Sequence, residues 1–539
     1  MIAPEIETVC AAFEDAAARH PNRAFLNVLP ETAEIYGIAA GEVSYAAAAR
    51  EVAALRENMA AAGYLPGQRV MLLMENRPAF FLWWLALNGL GLSVVPVNPD
   101  LRAAELSYMI DHAEPVLAVA IPSRCADLRA AAQQAGRDMP VIAPEVPLPA
   151  PVTTQTIAAR QGGAEEAALL YTSGTTGQPK GCILTNTYFL DAGRWYADTG
   201  GLCALSQDGE HMITPLPIFH MNAMAYSFMA MIAVGGCLTA LDRFHPRSWW
   251  ASVRASGATC LHYLGVMPSM LMGAEESEAD RDHAVRFGFG AGVDPKLHAA
   301  FEARFGFPLV EAWAMTETGA GAVICANREP RRVGESCLGA PEGGLEVRLL
   351  DDAGQVADQG ELLVRRAGAD PRRGFFAGYF KNAEATDEAW TDGWFHTGDI
   401  VRRAPDGAMY FVDRKKNVIR RSGENIAAVE VESTLMRHPA VASAAVAAVP
   451  DAVRGDEVFA CIVPKDAGAD PAVLAREITE WCLTQLAYYK APGFIAFVKA
   501  LPLTATQKLQ RGVLKTLAAD LLADPATQDL RRLKKRTAA

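Results

Sequence analysis

YTSGTTGQPKG, Tyr171 to Gly181, reads as a strand, a loop of threonine, serine and glycine ending in Pro179 and Lys180, and a second strand. Glycines (Gly174, Gly177) let backbone N–H groups converge on phosphate oxygens. The hydroxyls of Thr172, Ser173, Thr175 and Thr176 add donors, and Lys180 supplies charge. A plain hairpin needs only one or two glycines and no closing lysine, so the composition favours polyphosphate binding. The loop is not a Walker A motif, because no Gly immediately precedes Lys180 and a strand rather than a helix follows. GFGAG, Gly288 to Gly292, fails the GxGxxG pattern because position 293 is Val.

Outward from this segment, helical and strand-like patterns alternate over the first four hundred residues. Ser44 to Ala62 reads as a helix; Gln68 to Met74, Val116 to Pro122, Ala167 to Thr172 and Gly181 to Thr185 read as strands. Helices separating short apolar strands predict a layered α/β architecture with largely parallel sheets. Near Gly339 the texture changes to short strands and turns, Leu345 to Gln355 and Gly360 to Arg366, which predicts a β-rich part. A boundary is expected at Asp413 to Lys416; beyond it Val429 to Pro450 reads as a helix and then a strand of a compact α+β domain.

With 539 residues the chain is too long for one ordinary core. A formal charge of -12 would repel a phosphate backbone, so nucleic acid is excluded as a partner. The basic run Arg531 to Arg536 is expected to be a solvated helix end. The ten cysteines form no CxxC pair and have no His at metal-ligand spacing, which favours reduced thiols in a cytoplasm. The first residues show no signal-peptide pattern. Ala79 to Val97 is the most membrane-like stretch, but Asn88, Gly89, Gly91 and Ser93 interrupt it and Pro96 ends it. A buried helix leading into a buried strand is expected there instead, with no integral membrane segment.

Four further segments extend the reading. AWAMTETG (Ala312 to Gly319) sets a flat ring beside a threonine and a carboxylate, suiting a base, a phosphate and a hard cation in succession. Taken alone, this pattern also fits a core aromatic beside a helix cap. DGWFHTGD (Asp392 to Asp399) offers a carboxylate able to accept two hydroxyls. VDRKKNVIRRSGENIAAVEVE (Val412 to Glu432) and LPLTATQKLQR (Leu501 to Arg511) complete the series. Together with the loop at Tyr171, these segments resemble the adenylate-forming superfamily of acyl-CoA synthetases, adenylation domains and luciferases. The likeness covers residues 170 to 511 in the family's order. Trp313 stands where the family has Tyr, Ala314 where it has Gly, and Gln507 where it has Gly.

The resemblance implies an adenylate-forming domain over 1–414, β-rich over 340–411, and a mobile α+β lid over 415–539 hinged at Lys416. It implies ATP, Mg²⁺ and coenzyme A as cofactors and co-substrates, and a small-molecule carboxylic acid as substrate. It assigns Ser173–Gly177 with Thr172 and Lys180 to the phosphates, and Trp313 to stacking on adenine. It assigns Thr316 to the α-phosphate, Glu317 to Mg²⁺, and Asp399 and Arg414 to the ribose. Gly290, Ala291 and Gly292 fall beside the nucleotide and the acid pocket, and Gly423, in the Ser422-Gly423-Glu424 loop, falls at the pantetheine channel. Lys508 is the adenylation lysine, and His220 gates the acyl carbonyl. A core histidine is a nearly equal reading of His220, and Met221, Met224, Met229 and Met231 are more simply core than pocket.

Within that superfamily the chain resembles bacterial crotonobetaine/carnitine-CoA ligases, through PIFHMNA and Val412 to Glu432. A quaternary ammonium would want an aromatic cage, for which Trp195, Tyr196, Trp249 and Trp250 are available. An aliphatic or aromatic acid is equally admissible. Loading of a carrier protein, a catalytically retired nucleotide-binding role, and a homodimer stay open. The sequence has neither a GxSxG elbow nor an HExxH motif.

Overall fold

The computed structural model describes residues 1–152, 162–172, 178–351, 353–414, 418–466, 468–502 and 509–535; at 413, 414, 418 and 429 the description is of backbone alone. These residues form four sheets. In the first, strands Ser93–Pro96, Arg69–Leu73, Leu117–Ala120 and Val141–Ile142 run parallel. The antiparallel hairpin Glu166–Thr172/Lys180–Thr185 joins one side, and the short strand Gly378–Tyr379 adds to the outside of the hairpin.

Because side chains alternate along a strand, Val70 and Leu72 enter one core while Met71 and Leu73 enter another. The first core lies between this sheet and a second one. The second sheet's parallel centre comprises Ala24–Val28, Cys237–Ala240, His211–Thr214, Cys260–Leu264, Phe287–Ala291 and Leu309–Trp313. Helix Pro78–Asn88 fills the space between, with Pro78 opening the helix and the Trp84 indole donating to the Ala167 carbonyl at 3.1 Å. Strand Ser93–Pro96 follows, so the apolar run from Ala79 is a buried helix and strand as expected. Among the described residues no helix is long and apolar enough to cross a membrane.

The Ser44 hydroxyl caps helix Tyr45–Ala62 by accepting from the Ala47 N–H at 3.2 Å. The third sheet, with strands Cys337–Gly339, Leu345–Leu350, Gln359–Arg366, Trp390–Thr391, Trp394–Arg403 and Met409–Arg414, is antiparallel throughout. The fourth begins at Val418–Arg421 and contains Glu424–Ala427, Val441–Asp451, Gly455–Pro464, Phe494–Phe497 and Gln528–Asp529. The apolar residues of one of its faces form a continuous core with the outer face of the first sheet, and those of the other pack under helix Arg511–Leu522. All ten cysteines are unpaired, and all but Cys325 are buried.

The basic tail corrects its expectation. Arg531 pairs with Asp529 at 2.7 Å and with Asp451 at 3.0 Å, while Lys534 is buried against Glu457, whose other oxygen is 2.8 Å from Nε of buried Arg421. Sequence alone reads such a run as solvated because two of its counter-charges, Asp451 and Glu457, come from strands about eighty residues away in the chain.

Candidate active site

The parallel strands of the second sheet end at a cavity of about 910 Å³, the edge at which open α/β sheets bind ligands. Thr172, Lys180, His220, Gly290, Ala291, Gly292, Thr316, Glu317, Asp399 and Gly423 all line it. Segments more than 200 residues apart in sequence therefore meet around one space. Ser173, Gly174, Thr175, Thr176, Gly177, Lys416 and Lys508 lie outside the described residues. Arg414 is described by its backbone alone, which faces Asp399 across the strand pair.

Asp399 is 1% exposed, in strand Trp394–Arg403. Its carboxylate accepts the Trp313 indole N–H at 2.8 Å, and its own N–H donates to the Thr397 hydroxyl at 3.0 Å. Trp313, which the resemblance assigns to stacking on adenine, turns its indole N–H to this carboxylate. The indole is 6% exposed, sits behind the cavity lining and orients the carboxylate. Trp can do this where Phe cannot, because only the indole carries a donor.

Glu317, also buried, accepts the Tyr379 hydroxyl at 2.8 Å, and Lys180 Nζ lies 4.6 Å from the centre of the Tyr379 ring. Burial, and then the Glu317 carboxylate, push the Tyr379 phenol up, so it remains a donor at neutral pH. Tyr379 thus ties Lys180 of the Glu166–Thr172/Lys180–Thr185 hairpin to the acidic residue of the AWAMTETG segment. The sequence carries no signal for it beyond a tyrosine after a glycine. The Thr316 carbonyl is fixed by the Tyr188 hydroxyl at 2.9 Å.

Gly292 has φ +80, and its N–H donates to Glu311 at 3.0 Å while Val293 N–H donates to the other oxygen at 2.8 Å. A Cβ at Gly290 would collide with the Tyr263 carbonyl, so this wall admits only glycine. Gly423 has φ +90, and a Cβ there would strike Leu264 Cδ1. The loop from the fourth sheet is therefore pressed against the end of strand Cys260–Leu264. Beside it Glu424 Oε2 lies 3.3 Å from His220 Nε2, whose side chain is 39% exposed, so His220 is a cavity residue and not core.

The floor holds a group that sequence reasoning missed. His262 is fully buried, its Nδ1 2.7 Å from the Asn222 side-chain oxygen and its Nε2 3.0 Å from the Tyr196 hydroxyl. Burial lowers its pKa to about 3, so the ring is neutral. The Ser227 hydroxyl is also 2.9 Å from Nδ1, so both ring nitrogens are engaged by polar side chains. Asn222 opens a π-helical segment, Asn222–Phe228, and lines the cavity. Met221 also lines it, whereas Met224, Met229 and Met231 are buried core. The four aromatics considered for a cage do not form one. Trp195 and Tyr196 pack on Phe289, Trp249 on Phe244, and Trp250 on His283 and Phe305.

The AMP-binding enzyme family matches residues 13–380, and the AMP-binding enzyme C-terminal domain matches residues 430–508. The chain belongs to the AMP-binding enzyme family. It is 32% identical over 523 residues to a sulfoacetate–CoA ligase of Cupriavidus necator, covering 94% of this chain and 97% of the relative. A crotonobetaine/carnitine–CoA ligase of Salmonella arizonae is 29% identical over 507 residues, covering 90% and 96%. Among solved structures, an o-succinylbenzoate CoA synthetase of Bacillus subtilis superposes with TM-score 0.79 at 24% identity, covering 94% and 98%, a likeness of fold. A malonyl-CoA ligase holding methylmalonyl-CoA and AMP gives 0.72 at 27% identity, covering 89% and 97%. This AMP-binding enzyme is an ATP-dependent carboxylate–CoA ligase, an acid–thiol ligase that proceeds through an acyl-adenylate.

In this family member Trp313→Phe keeps the ring and deletes the donor to Asp399. The KM for ATP is expected to rise about tenfold, the lower end for a hydrogen bond to a charged group, with the KM for the acid unchanged. Steady-state kinetics with each substrate varied in turn checks this.

Proposed function

We propose that the cavity activates a short carboxylic acid with an uncharged tail. The observation that carries the reading is the convergence of Thr172, Lys180, Thr316, Glu317 and Asp399 with the Ser422–Glu424 loop on one space. In the first step a carboxylate oxygen attacks the α-phosphorus of ATP and pyrophosphate leaves. In the second the CoA sulfur attacks the acyl carbon, its proton is lost and AMP leaves. Lys180 and the hydroxyl-rich loop hold phosphates, Thr316 holds the α-phosphate, and Asp399, kept in place by Trp313, accepts the ribose hydroxyls. Arg414 is assigned to the same ribose from its place opposite Asp399.

Mg²⁺ fits as a partner of the nucleotide. Among the described residues no group of three or more His, Cys, Asp or Glu is placed to hold a metal, and Mg²⁺ ordinarily takes one or two carboxylates together with substrate phosphates. Glu317 would supply that carboxylate, and the ion would neutralise phosphate charge. Lys508 would bridge the carboxylate and the α-phosphate in the first step. His220 and Gly423 flank the acyl carbon in the second, and the Gly423 loop against Leu264 supports the thioester-forming arrangement. Ten unpaired cysteines support a cytoplasmic location.

The tail preference rests on the acyl end of the cavity. The two segments expected to form the acid pocket, Pro215 to Ala230 and Gly288 to Gly292, contribute Leu216, Met221, Asn222, Tyr226 and Phe289 to the cavity lining and no Lys or Arg. The relatives' names specify sulfoacetate, crotonobetaine or carnitine, and malonate derivatives. A sulfonate or second carboxylate would be desolvated here without a counter-charge, and a quaternary ammonium would find no cage. In an AMP-release assay over a panel of acids, neutral short acids are expected to exceed sulfoacetate, malonate and crotonobetaine in kcat/KM by about a hundredfold, a difference of roughly 3 kcal/mol. Preferential turnover of any of the charged acids would refute this preference.

A further inference from the structure

We propose that Glu105, Lys490 and Glu430 form a buried latch that positions the C-terminal domain for thioester formation. Lys490 Nζ lies 2.6 Å from Glu105 Oε1 and 2.7 Å from Glu430 Oε1, and all three side chains are nearly inaccessible. Glu105 comes from helix Ala103–Ala113 beside the first sheet, whereas Glu430 and Lys490 belong to the unit of the fourth sheet. The same Glu105 carboxylate accepts the Ala487 N–H at 2.9 Å and the Arg102 N–H at 2.9 Å. Next to it Asn98 Nδ2 donates to the Tyr489 hydroxyl at 3.0 Å and lies 3.4 Å from Glu424 Oε1. The latch therefore continues into the loop that bears Gly423.

A buried ammonium facing two carboxylates is held strongly only while both are present, because removal of one partner leaves an incompletely compensated charge in a low-dielectric site. Rotation of the C-terminal domain carries Glu430 and Lys490 together and leaves Glu105 behind. The Glu105–Lys490 contact thus exists in one orientation alone, and its free energy biases the population toward that orientation. This orientation presses Gly423 against Leu264, so Glu105 and Lys490 are positioning residues for the second half-reaction. The inference rests on the two-step reading above.

Glu105→Gln retains an oxygen for the Ala487 and Arg102 N–H groups and removes the charge facing Lys490. The test uses the full-length enzyme and the acid that releases most AMP in the panel. Acid-dependent pyrophosphate–ATP exchange is expected to be unchanged or raised. Conversion of the supplied acyl-adenylate to thioester is expected to slow at least about fivefold, the lower end of conformational coupling. The Glu105→Gln/Lys490→Met double variant is expected to lose no more than Lys490→Met alone, as partners in one contact should. Equal losses in both half-reactions, an unimpaired thioester step in Glu105→Gln, or additive losses in the double variant overturn the positioning role. Absence of thioester product from the unaltered enzyme would overturn the two-step reading itself and the latch with it.

Discussion

Lys508→Ala is expected to slow adenylation by about 10²- to 10³-fold, the effect of removing one preorganised electrostatic donor, while acyl-adenylate added from outside is still converted to thioester. The argument starts from where charge gathers. As the carboxylate oxygen approaches the α-phosphorus, negative charge accumulates between the two groups, and an ammonium on a flexible stem can sit between them. In the second half-reaction the anhydride is already made and that requirement disappears. The structure places the Gly423 loop against Leu264, and the two half-reactions are expected to be served by different faces of one domain. Pyrophosphate–ATP exchange measures the first half and single-turnover thioester formation the second. Equal impairment of both would remove Lys508 from its assigned role.

Glu457→Gln is expected to destabilise the C-terminal unit by about 3–5 kcal/mol, the effect of removing one partner from a buried ion pair. Glu457 is fully buried between Arg421 and Lys534, both also buried. An amide in its place leaves the buried Arg421 guanidinium without its carboxylate. Lys534→Met is the contrasting variant, since Glu457 keeps Arg421, and stability at neutral pH should be unchanged or raised. Burial, and then the nearby Arg421 charge, lower the Lys534 pKa to about 7, below its unfolded value near 10.5. Between these values the unfolded chain binds more protons, so this group's contribution to stability increases as pH rises through that window. Urea unfolding followed at several pH values should show that rise in the unaltered protein and its loss in Lys534→Met. A Glu457→Gln protein of undiminished stability would contradict the buried-pair account.

The sequence makes the layered α/β body legible because its strands are short, apolar and separated by helical periodicity, as at Arg69–Leu73 and Leu117–Ala120. The phosphate hairpin is legible through its own composition, and Asp399 and Glu317 through their motifs. Tyr379 is different: it belongs to a strand of two residues, too short for any period, and its importance comes from an edge it shares with Lys180–Thr185. His262 hides inside an apolar strand, and its contacts with Asn222, Ser227 and Tyr196 distinguish it from a core residue. Nothing in the local sequence marks Glu105, Glu430, Lys490 or Lys534 as buried. Their burial depends on partners 60 to several hundred positions away, which no local pattern records. The tryptophans read as cage candidates fail because aromatic side chains pack against one another wherever the core supplies partners.

Gly378 and Tyr379 pair with Ile183 and Cys182 over two rungs only. Side chains along an extended segment swap faces with each step, so displacement by a single rung would carry the Tyr379 hydroxyl out of reach of the Glu317 carboxylate. One residue inserted just ahead of Gly378 would thereby disconnect Glu317 from the hairpin that bears Lys180 while every residue proposed to hold ATP kept its identity. Length in that connecting segment is consequently as much a determinant of activity as chemistry at the pocket.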